Sequence, residues 1–284
     1  MDDELKFTKI EKYIFKNCKR FIIEYTQKKY SCDEILNKFS SFLLVQLRSL
    51  EKLFCEYLNT NIGNALIIFN YRLKAINLLA TLTNFTVNHY IDFMQLQRAS
   101  QGEFKNLNNV YILSFNYTVL FDILNIKRPC TFSNVHGTIC GSQCEKDCNS
   151  LNIIFGIDDS VIPSAYSEMR LFSKTYRKML SNIEPQSILP PKNNNTIVIK
   201  FYGHSLSKAD YSYFKSIFDY YDLYSNYNVS LIFYYSKGYE NYDAVYKLIN
   251  EYGKTLNNKD QGKNLLHKLL LENRLKICII HDQE

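Results

Sequence analysis

The chain has 284 residues, 46% of them apolar, with a formal net charge of +6, which is enough apolar material for one large domain or for one core with an appendage. The positive charge is not gathered into a Lys/Arg block, so no nucleic-acid partner is indicated. No window of about 18 residues is both strongly apolar and uncharged, as a membrane span requires, because the richest stretch, 64–87, contains Arg72 and Lys74.

The start, Met1-Asp2-Asp3-Glu4, is acidic and leads into no apolar run, so no secretory signal is expected. The eight cysteines are then expected to be reduced thiols in the cytoplasm. Residues 1–100 read as helical. Ile10, Tyr13, Ile14 and Cys18 recur at helical spacing, as do Leu43, Leu47, Leu50, Leu53, Phe54 and Leu58. A third helical stretch covers 64–97, and only Gly63 interrupts residues 1–101, which contain no Pro. This part is expected to form a bundle, or a cap packed on a sheet built by the rest of the chain.

From residue 101 to 284 the pattern changes. Short β-branched or aromatic runs at 110–115, 152–157, 196–202, 229–235 and 276–280 predict strands. Helical periodicity lies between them, near 164–182, 207–224, 240–253 and 262–273. Strands alternating with helices predict an α/β domain with a parallel, Rossmann-like sheet. The stretch 185–195, with Pro185, Pro190, Pro191 and a run of Asn, reads as a surface loop.

Three strand ends carry chemistry, and ligands of parallel α/β folds bind outside the carboxyl ends of strands. Asn116 comes just after the first run. Its amide both donates and accepts, so it suits a water or a ribose hydroxyl, or else it caps a helix starting near Thr118. His136 precedes Gly137. It suits a general base, or else it is a loop histidine bonded to the backbone. Gly203-His204-Ser205-Leu206 ends the 196–202 run and leads into Ser207 and Asp210, whose spacing fits a capping box as well as a ligand role. In the next helix, Phe214, Ile217, Phe218 and Tyr221 read as core. Asp158 and Asp159 read as a solvated turn. Cys140, Cys144 and Cys148, with Cys130 upstream, are spaced more loosely than paired zinc ligands, so no metal site is assigned and zinc stays open.

Taken together, Phe115-Asn116-Tyr117-Thr118, Val135-His136-Gly137, the 153–158 segment Ile-Ile-Phe-Gly-Ile-Asp and Tyr202-Gly203-His204-Ser205-Leu206 with Asp210 resemble the AbiH family of bacterial abortive-infection proteins. The resemblance covers about residues 40–282 and extends more distantly to sirtuin-type NAD-binding domains. It implies action against phage and NAD as a substrate, cleaved at the nicotinamide–ribose bond. It also implies catalytic roles for Asn116 and His136, and a nucleotide site lined by Phe115, Gly137, Gly203, His204, Ser205 and Asp210, all meeting in one cleft. Thr118 stands where sirtuins have Asp, which speaks against a deacylase. The family's opening Gly-Asn-Gly-Phe-Asp turn has no counterpart, since residues 1–40 contain no glycine. The expected 101–284 domain therefore lacks its Gly-rich strand-turn, so that either the reading frame is shortened or the site is incomplete. The alternative to an enzyme is a non-catalytic module that senses a phage component or binds a nucleotide. A second copy of the chain is also open as a partner.

Overall fold

A computed structural model of the chain describes residues 32–62, 78, 82, 109–118, 130–138, 153–162, 167–180, 189–192 and 196–280. The chain is a mixed α/β protein. It divides into two compact units interleaved along the sequence, Met1–Ile67 with His136–Ile183 and Ile68–Val135 with Glu184–Glu284. The boundary expected at residue 100 lies outside the described residues, as do Cys140, Cys144 and Cys148.

In the first unit, α1 (Cys32–Ile62) runs for 31 residues. Its expected stripe is half-buried at Leu43, Leu47, Leu50, Phe54 and Leu58, whereas Leu53 is half-exposed. Among the described residues of this helix the most buried is Glu51, beside the stripe, at 1% exposure. Its carboxylate takes a bidentate pair of bonds from Arg177, Nη1 to Oε1 at 2.6 Å and Nη2 to Oε2 at 2.8 Å, and the Phe155 N–H donates to Oε1 at 2.6 Å. Arg177 lies on α2 (Lys174–Leu180), which comes after the 3-10 turn Ser167–Phe172. The expected strand at 152–157 does not form among the described residues. The Phe155 N–H and carbonyl bond to the Glu51 and Arg177 side chains rather than to a neighbouring strand. What remains is an isolated bridge between Ile157 and Ser173. A Cβ on Gly156 would stand 2.5 Å from the Phe172 carbonyl oxygen, so only glycine fits this crossing.

Among its described residues the second unit holds two small parallel sheets in place of the one sheet expected. β1 (Tyr111–Ser114) pairs with β2 (Thr131–Asn134), Tyr111 opposite Thr131. β3 (Ile197–Tyr202), β4 (Val229–Ser236) and β5 (Leu275–Ile280) pair in that order, with Ile197 opposite Val229 and Leu231 opposite Leu275. Parallel neighbours need crossovers. These are α3 (Tyr211–Tyr220) between β3 and β4, and α4 (Tyr242–Thr255) with α5 (Lys259–Leu271) between β4 and β5.

Alternation along β4 sends Val229, Leu231 and Phe233 into the core, where they meet Phe214 and Phe218 of α3, Leu248 and Ile249 of α4, and Leu269 of α5. Burial raises the Tyr221 phenol to about 12, so it stays neutral and donates to the Pro190 carbonyl at 2.9 Å. From the other face of β3, Lys200 donates to the Leu82 carbonyl at 2.6 Å, and its partial desolvation lowers the ammonium pKa. Arg274, buried, pairs with Glu272 and donates to the carbonyls of Val229 and Leu223, which fixes β5 against the entry to β4.

Among the described residues no helix is long and apolar enough to cross a membrane. None of their His, Cys, Asp and Glu side chains forms a group of three or more that could hold a metal ion.

Candidate functional site

Within the second unit the carboxyl ends of β1 and β3 come together. Phe115, one residue past β1, sets its ring edge-on to His204 with centroids 4.5 Å apart, and also packs on Tyr213 at 5.8 Å and Phe214 at 5.6 Å. The Asn116 loop and the Gly203 turn are therefore neighbours, joined by aromatic rings that the order of the sequence does not reveal.

Asn116 is exposed. Its backbone N–H donates to Ser114 Oγ at 3.2 Å. Asn134, at the end of β2, donates through Nδ2 to the carbonyls of Asn116 at 2.6 Å and Thr118 at 3.3 Å. Asn134 is a candidate site residue that the sequence motifs do not single out. The signal for it was an Asn at a strand end, directly before Val-His-Gly. The helix that Asn116 was weighed as capping would continue past Thr118, outside the described residues.

The Gly203 turn has two left-handed residues, Gly203 at φ 65° and Leu206 at φ 54°. A Cβ added to Gly203 would meet no described atom within 4 Å, so this backbone faces open space that a ligand can approach. Ser205 is exposed beside it. His204 and Asp210, both weighed as ligand contacts, face each other, with Nε2 3.2 Å from Oδ2. Ser207 makes no side-chain capping bond, so its half of the expected capping box is missing.

His136 and Gly137 belong to the first unit and are buried there, His136 at 4% exposure. The His136 carbonyl accepts from Ile154 N–H at 2.9 Å, which ties the His-Gly segment to the 153–158 motif. Gly137 has φ 81°, a conformation that favours glycine. Val135, just before His136, belongs to the second unit and extends the β2 pairing by one bond, donating to the Ser114 carbonyl at 2.7 Å. Asp158, expected as a solvated carboxylate, is 4% exposed and caps the turn Asp159–Val161 through Ser160 N–H at 2.9 Å.

The sequence model of the family described as Bacteriophage abortive infection AbiH matches residues 11–235, well over half the chain. The chain belongs to this family. The match includes every motif discussed above, from Phe115 to Asp210, and ends within β4. No curated protein and no solved structure matches the chain.

Proposed function

We propose that this AbiH-family protein acts in the bacterial cytoplasm against phage, binding a nucleotide at the carboxyl ends of its parallel strands and cleaving NAD at the nicotinamide–ribose bond. The observation that supports the reading best is the 4.5 Å contact of Phe115 with His204, which makes the Asn116 loop and the open Gly203 turn neighbours. A dinucleotide is the ligand class to which such strand ends are suited. The sirtuin-type, Rossmann-like form of the reading rests on the order of the motifs in the sequence.

In this reaction the C1′–N bond breaks and its electron pair stays on the nicotinamide nitrogen, which leaves an oxocarbenium-like ribose. Water adds at C1′ and gives up a proton. Asn116, exposed at the mouth of β1, would orient the water or a ribose hydroxyl by accepting and donating hydrogen bonds. The resemblance assigns the proton to His136, a residue type that titrates near neutrality. Phe115, Gly203 and Ser205 would line the nucleotide, with Gly137, His204 and Asp210 completing the set that the family pattern implies.

The second reading is a non-catalytic module that binds a nucleotide or senses a phage component through the same turn. One experiment separates the two. The parent chain, Asn116→Ala and His136→Gln are expressed in a phage-susceptible bacterium, and each variant is checked by thermal melting because His136 is buried. The catalytic reading expects plaque reduction by the parent, a fall in cellular NAD during infection, and loss of both in either variant. Protection that survives both substitutions would reject it. Protection by the parent with NAD unchanged would support the binding module.

A further inference from the structure

We propose that His204 is a positioning residue, whose uncharged imidazole holds the Gly203–Leu206 turn in its binding conformation and packs that turn against the residue next to Asn116. The proposal rests on the reading above, in which this turn receives the nucleotide. It gives His204 a role other than that of a ligand.

Both ring nitrogens are engaged inside the protein. Nδ1 accepts the Leu206 N–H at 2.8 Å, and a ring nitrogen that accepts carries no proton. The remaining ring proton then sits on Nε2, 3.2 Å from Asp210 Oδ2, to which it donates. The imidazole is the Nε2–H tautomer, oriented by a carboxylate, with its side chain only 13% exposed. A ring bonded at both ends has no nitrogen left for a substrate.

The bond to Leu206 has a clear conformational use. A left-handed non-glycine residue costs about 1–2 kcal/mol and persists only when its surroundings over-determine it. At Leu206 those surroundings are the His204 acceptor and the burial of the leucine side chain in the core. The ring also packs the turn in place. His204, Phe115 and Phe214 are in mutual contact, His204 at 4.5 Å from Phe115 and 5.0 Å from Phe214, and Phe115 at 5.6 Å from Phe214. The imidazole therefore joins the Gly203 turn to the residue next to Asn116 and to the start of α3.

Substitutions can divide these functions. Asn at a turn accepts the N–H two residues on through its side-chain oxygen, which copies the Nδ1 bond. Gln and Ala do not make that bond. The full chain and the variants His204→Asn, His204→Gln and His204→Ala are compared by thermal melting and by phage plaque reduction. The imidazole of the parent is read by long-range proton–nitrogen NMR.

The expected spectrum is that of a neutral, Nε2-protonated ring. His204→Asn is expected to keep the parent's melting temperature and protection more closely than the other two, which lose about tenfold or more, the scale of one lost buried hydrogen bond. A proton on Nδ1 overturns the proposal. So does His204→Asn losing protection as fully as His204→Ala while melting like the parent, since the imidazole would then contact the ligand itself. Full protection by all three variants overturns it as well. If the parent gives no protection, the functional reading fails separately, and the tautomer together with the order of melting temperatures decides the positioning role.

Discussion

Glu51 stands between Leu50 and Phe54 on α1, where hydropathy alone would place an apolar residue. Its carboxylate binds Arg177 and the Phe155 N–H, and the two side chains are 1% and 11% exposed. Phe54 packs on Phe155 at 5.3 Å, so the ion pair and the aromatic contact hold the same segment. Removing one partner of a buried pair leaves the other charge uncompensated, at a cost of about 3–5 kcal/mol. Glu51→Gln is therefore expected to be far more damaging than a surface substitution. Its amide nitrogen would face the guanidinium in place of an oxygen. Urea unfolding of parent and variant measures this as a fall in the transition midpoint. A shift equivalent to less than about 1 kcal/mol, the range of an exposed pair, would show that the pair is solvated.

At the scale of elements, α4 and α5 cross where two glycines meet. A Cβ added to Gly253 would run into the Gly262 carbonyl oxygen, and one added to Gly262 would run into the Gly253 carbonyl oxygen. Both obstacles are backbone, which cannot swing aside as a side chain can. Alanine would raise helix propensity by about 1 kcal/mol, but overpacking a tight contact costs about 1–3 kcal/mol. Packing is expected to prevail, so Gly253→Ala and Gly262→Ala should each lower the melting temperature. A rise in either would mean that the helices can separate at no cost. The cap at this junction agrees with a fixed geometry. Asn258 accepts from the N–H groups of Asp260 and Gln261.

At the scale of the whole molecule, the family match and the folding unit end in different places. The match stops at residue 235, within β4. The core around β4 also takes Val245, Leu248, Ile249, Tyr252, Leu265, Leu269 and Leu275 from beyond it. A chain ended after Tyr235 would leave the buried row of β4 uncovered and would remove β5, which pairs with one edge of that strand. Such a fragment is expected to aggregate or be proteolysed, whereas a chain ended after Ile280 keeps the unit. Expression of both, followed by limited proteolysis, tests this. A fragment 1–235 as protease-resistant as the longer chain would show that the match marks a complete unit.

Period-two runs and helical runs were enough to read residues 196–280 in order, whereas β2 (Thr131–Asn134) lies in no predicted run and the run at 152–157 forms no strand among the described residues. The strands at 111–114, 197–202, 229–236 and 275–280 and the helices between them lie close to their expected bounds, because each is specified by neighbours within a few residues. The family motifs were legible for the same reason, being short and contiguous. Local pattern does not encode pairing between polar groups far apart in the chain. Glu51 finds Arg177 across 126 residues, both bonding the Phe155 backbone within the run at 152–157, and Asn134 finds Asn116 across 18. His204, which reads as a ligand contact when its turn is viewed alone, meets Asp210 and Phe115 once the carboxyl ends of β1 and β3 are neighbours. Burial and hydrogen-bond geometry decide such pairings, and both exist only after the chain has folded.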